Sequence, residues 1–155
     1  MPLSALNSKE RSVVMTTTGI DGLERTIHQT NEWIKDIMDE MGTQDRNEAY
    51  IALNSTLHAL RDRLVVDEAV DLGAQLPMLI RGLYYEGYDP SDKPAKARHK
   101  DEFFALMKRD LARTPGVDPE RAARGVFSVL GKKISKGEIK DVKNMLPGDV
   151  REIWH

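Results

Sequence analysis

The pattern around Pro77 returns around Pro147, 70 residues later. At that shift Leu57, Leu60 and Leu64 fall on Phe127, Leu130 and Ile134, and Leu72 and Leu76 fall on Val142 and Leu146. Glu68, Asp71 and Arg81 fall on Glu138, Asp141 and Arg151, identical in type. Ile80, Leu83 and Tyr84 fall on Val150, Ile153 and Trp154. Further upstream, Trp33, Ile34, Ile37 and Met41 fall on Phe103, Phe104, Met107 and Leu111. Unrelated amphipathic segments would share apolar positions by chance. They would not also share a proline, two acids and an arginine in one register, so a duplicated segment is expected. Two copies are too few for a solenoid, so a pseudo-symmetric helical domain follows.

Spacing within each copy is helical. Leu53, Leu57, Leu60 and Leu64 stand four, three and four apart, which lines one face of a helix. Asp45 with Glu48 and Ser135 with Glu138 have the spacing of capping boxes. Asp21 and Asp67 are placed to cap helices, and Asp118-Pro119 reads as a cap followed by a first-turn proline. Pro77 and Pro147 are read in the first turn of short helices, where proline's missing amide hydrogen has no partner to lose. Leu23, Ile27, Thr30, Ile34, Ile37 and Met41 alternate four and three apart. That stripe suits a core-facing helix or, alternatively, a dimer seam.

The expected fold is all-α, with about eight helices in two tandem pseudo-symmetric four-helix units sharing a core. Residues 1–20, rich in Ser and Thr, read as a loose tail, 21–90 as unit one and 91–155 as unit two, forming one compact domain. Pro90 and Pro94 mark the joint. Met15 is a second candidate for the first residue.

The run AQLPMLIRGLYYEGYDP, with LHALRDRL before it and EFFALM and LPGDVREIW after it, resembles the bacterial family known as domain of unknown function 2267. The resemblance covers Gly22 to the C-terminus. It implies a helical bacterial protein and brings no activity and no catalytic residue.

Composition excludes several chemistries. There is no cysteine, which rules out disulfides, thiolate catalysis and cysteine-ligated zinc and suits a cytoplasmic location. No apolar run approaches the roughly 18 residues of a membrane helix, and no secretory h-region opens the chain. Neither common glycine-rich phosphate loop occurs, nor a nucleophile elbow, nor a zinc-binding H-E-x-x-H. Residues 1–90 carry 8 basic and 15 acidic side chains, and residues 91–155 carry 15 and 10. The halves therefore attract each other within one molecule or, alternatively, head to tail between molecules.

Few residues stand out as sites. Tyr84, Tyr85 and Tyr88, with Arg81, form the first partner-binding candidate, since tyrosine joins an apolar body to a polar tip. Arg81 and Arg151 are also expected to pair with an acid such as Asp71 or Asp141. Lys132, Lys133, Lys136, Lys140 and Lys143 form the nucleic-acid candidate, because lysines on one helical face can meet phosphates. The repeated acids Glu68/Asp71 and Glu138/Asp141 read as first-turn carboxylates favoured by the helix dipole rather than as acid–base catalysts. His58 is expected at the edge of the core. Glu152-x-x-His155 lacks the second copy a helical di-metal site needs. No catalytic residue, metal or cofactor is expected. The leading expectation is a non-enzymatic module for protein contacts or self-association. The alternatives are nucleic-acid or ribosome association, and a small-ligand pocket between the units.

Overall fold

The computed structural model describes residues 18–154. Most of the expected tail, and His155, lie outside them. Eight α-helices follow in order: α1 Asp21–Met41, α2 Arg46–Arg63, α3 Val66–Gln75, α4 Met78–Tyr85, α5 Lys100–Leu111, α6 Pro119–Lys133, α7 Lys136–Met145 and α8 Gly148–Arg151. A 3₁₀ turn, Glu152–Trp154, continues α8. Among the described residues there is no strand.

The helices start and stop for local reasons, some of them unexpected. Asp45 Oδ1 accepts from the Asn47 and Glu48 amides at 2.9 and 3.4 Å. Glu48 does not close the box directly. It accepts from the Thr43 hydroxyl, which itself accepts from the Asp45 amide. Ser135 accepts from the Glu138 amide at 3.2 Å, but its own amide donates to Gln75 Oε1. The Glu138 carboxyl is thereby released from capping and turns into the protein. Asp21 and Asp67 are not caps. The N-cap positions are Ile20 and Val65, and the two acids lie one and two residues inside their helices. Pro77 and Pro147 stand at the N-cap with extended backbone, one position earlier than expected. Gly42 ends α1 in the left-handed conformation that glycine adopts without steric cost.

Buried apolar side chains of both units form one cluster. Leu53, Leu57, Leu60 and Leu64 of unit one and Phe127, Leu130 and Ile134 of unit two all lie in it. Helix α2 packs most extensively on α5, and α1 on α6. Helices α2 and α6 meet, as do α3 and α7. The first and second halves of the described residues therefore close one core against each other. Asp36 and Glu40 of α1 pair with Lys133 and Lys132 of α6, so part of the charge asymmetry is met within the molecule.

The junctions after α3 and α7 share two hydrogen bonds at equivalent positions. Arg81 Nε donates to the Gly73 carbonyl at 2.9 Å, and a terminal Arg81 nitrogen donates to Leu76 at 2.9 Å. Arg151 donates likewise to Lys143 at 2.8 Å and Leu146 at 3.0 Å. Neither arginine pairs with Asp71 or Asp141, as had been expected. A helix end leaves carbonyls without intrahelical partners, and the planar guanidinium reaches two of them at once.

Candidate functional site

The tyrosine cluster turns largely inward. Tyr84 is fully buried, and its hydroxyl donates to the Ala69 carbonyl at 2.7 Å. Tyr85 and Tyr88 are half-buried against the core, and a side chain at Gly73 would collide with the Tyr85 hydroxyl. Burial removes Tyr84 from any docking surface, and Arg81 is engaged by helix α3. Sequence reasoning missed Arg61, which organises this corner. It is buried, donates to the Tyr84 and Glu86 carbonyls at 2.7 and 2.9 Å, and lies 5.1 Å from the centre of the Tyr88 ring.

The lysine series divides. Lys132 and Lys133 are paired with α1, and Lys133 also lies over Trp33. Lys136, Lys140 and Lys143 line a shallow hollow of about 350 Å³ with Ile139, Asn144 and Arg151. Lys143 leans over Trp154 at 5.7 Å.

A cleft of about 480 Å³ opens between the units, walled by α2, the end of α4 and α5. His58 lies in it, half-buried as expected at the core edge. Its Nε2 donates to the Leu83 carbonyl at 2.6 Å, while Nδ1 faces the Asp110 carboxylate at 2.9 Å. Both ring nitrogens are thus taken up in joining α2 to α4 and α5, which makes His58 a structural link across the cleft.

A second hollow of about 480 Å³ lies between the start of α1 and α4, and its lining is mostly apolar: Leu23, Ile27, Met78, Leu79 and Leu83, with Gly82, Thr18 and Thr26. Leu23, Leu79 and Met78 are 38, 41 and 52% exposed. Monomers rarely leave such a contiguous patch uncovered. Here the α1 stripe runs past the core. Ile34, Ile37 and Met41 are buried, whereas Leu23 is not.

The repeated acids meet where α3 packs on α7. Glu68 and Glu138 are 7 and 8% exposed, and one oxygen of each carboxyl is buried without a hydrogen-bond partner. Burial pushes the Glu138 carboxyl up to about 8, aided by its hydrogen bond to Glu68 and by the charges of Glu68, Asp71 and Asp141. The dipole reading of these acids is therefore incomplete. Glu68 and Glu138 do lie in first turns, yet their carboxyls face each other across the two units. Their identity at the 70-residue shift was the available signal.

The described residues define a small all-α protein with two matched helical corners and an apolar groove that no other described residue covers. Its sequence matches the family described as uncharacterised conserved protein (DUF2267) over residues 30–153, and the chain belongs to that family. No curated protein matches it. No described helix is long and apolar enough to cross a membrane.

Proposed function

We propose that this protein acts through protein contacts rather than by catalysis, and that its partner at the α1/α4 groove is a second copy of the chain. The observation that carries this reading is the exposed continuation of the α1 stripe. Leu23 and Ile27 keep the spacing of Ile34, Ile37 and Met41, but among the described residues nothing covers Leu23 or the neighbouring Met78 and Leu79. A seam of this spacing is what a facing helix of the same kind fills. Closed twofold dimers are the commonest homo-oligomers.

Sedimentation of the full chain up to about 1 mM tests this reading. A dimer that persists in high salt and dissociates in Leu79→Asp is expected. A Gly82→Trp variant should also dissociate it, because a side chain there meets open space and would fill the groove. A monomer at all concentrations overturns the proposal. So does an assembly that salt dissolves, because that would be held by charge.

A second reading keeps one observation. The hollow lined by Lys136, Lys140 and Lys143 has no acid in its lining and suits a phosphate-bearing partner such as a nucleic acid.

A further inference from the structure

The contact between α3 and α7 holds four carboxyl groups, Glu68 and Asp71 from one helix and Glu138 and Asp141 from the other. Among the described residues, no basic side chain pairs with any of them. Oxygens of Glu68, Glu138 and Asp141 all lie within 4.8 Å of one another. Two of the three side chains are more than nine-tenths buried, and each of those keeps an oxygen inside the protein with no partner. A buried ionised carboxylate without a counter-charge is costly. The pair must share a proton or hold a cation.

We propose that Glu68, Glu138 and Asp141 bind a hard divalent cation, of the calcium or manganese class, between α3 and α7. The donor set is oxygen only, which favours these ions over zinc or copper. Oxygens about 2.3–2.6 Å from a calcium ion stand at most about 5 Å apart across it, so the observed grouping needs little rearrangement. Asp141 is exposed, which leaves a route of entry and a side where water completes the shell. Asp71, also exposed, adds a further negative charge beside the site. The ion would tie unit one to unit two through their short helices.

The test uses the full chain stripped with a chelator. Thermal unfolding is followed with and without about 1 mM calcium or manganese, since a ligand of the native state raises Tm. A rise of several degrees is expected in the parent chain. It should vanish in Glu68→Gln and Asp141→Asn, whose metal-free forms should melt no lower, because each substitution relieves like-charge repulsion. Manganese should lose its free-ion paramagnetic resonance signal on the parent chain only. An unchanged Tm with either ion overturns the proposal, leaving a carboxyl pair that shares a proton. A rise that survives both substitutions also overturns it.

Discussion

The corner at Pro77 and the corner at Pro147 are built on the same hydrogen bonds but present different surfaces. In both, an arginine four residues past the proline donates to two carbonyls of the preceding helix. In both, the arginine amide bonds the proline carbonyl at 2.8 Å. Around this shared frame the side chains diverge. Arg61 clamps the end of α4 in unit one, whereas its counterpart in unit two is Gly131, where a side chain would stand 3.6 Å from the Trp154 ring nitrogen. Trp154 instead stacks on Phe127, with ring centres 4.2 Å apart. Met78 and Leu79 are exposed in unit one, while Gly148 and Asp149 occupy their places in unit two. Asp149 accepts from the Lys100 amide at 2.8 Å and so serves the start of α5. Helix α1 begins at residue 21 and α5 at 100, so α5 lacks the turns that line the groove. The frame is what two halves must share to close one core. The exposed positions were free to differ, and among the described residues the apolar groove lies beside α4.

Breaking the shared core has the largest expected effect. Leu57→Ala and Phe127→Ala remove matched buried side chains and should cost about 2–5 and 3–5 kcal/mol. Because the clusters are continuous, each should lower one cooperative transition, with circular dichroism and tryptophan fluorescence melting together. Two separate transitions would show that the halves fold independently.

The matched arginines come next. Arg81→Met and Arg151→Met each lose charge-assisted bonds to carbonyls and should cost about 1–3 kcal/mol in denaturant titrations, discounted for partial exposure. Similar losses would confirm one device used twice. An unchanged Arg81→Met would make the frame incidental there.

The carboxyl pair supplies a pH test. The Glu138 carboxyl is held at about 8 in the folded protein, above its unfolded value, so its protonated form favours the native state. Its contribution is complete at acidic pH and is lost as pH rises through about 8. Glu68, Asp71, Asp141 and the more distant Tyr84 are the groups that act on it or are acted on by it. In metal-free protein, Tm should fall by several degrees between about pH 5 and 8, the span between the unfolded and folded values. Glu138→Gln should flatten the fall.

Glycines give the smallest effects. Gly82→Ala in α4 meets open space and should stabilise by about 0.5–1 kcal/mol in thermal melts. Gly73→Ala in α3 should instead destabilise despite the same helical gain, because the Tyr85 ring occupies the space.

Helix existence was legible because burial imposes a period on the chain. The leucines of α2, Ala122, Val126, Phe127 and Leu130 of α6, and Ile139 and Val142 of α7 proved to face the core, while Met145 at the end of α7 is exposed. The duplicated register located both corners. Cap positions were less legible. Val65 and Ile20 stand where Asp67 and Asp21 were expected, because a residue's place in the first turn depends on how the chain enters it. The partners of Arg81 were misjudged because a helix end offers carbonyls that no side-chain inventory displays.

Sequence alone determined that this chain is helical, that one pattern recurs around Pro77 and Pro147, and that it is free of cysteine, since periodicity, register and composition are properties of the linear order. Tertiary structure alone decided that Glu68 meets Glu138, that Tyr84 is buried, and that Leu23 stays uncovered while Ile37 does not. Those outcomes depend on which helix lies across from which. Two residues 70 apart carry no local mark of contact until packing places them face to face.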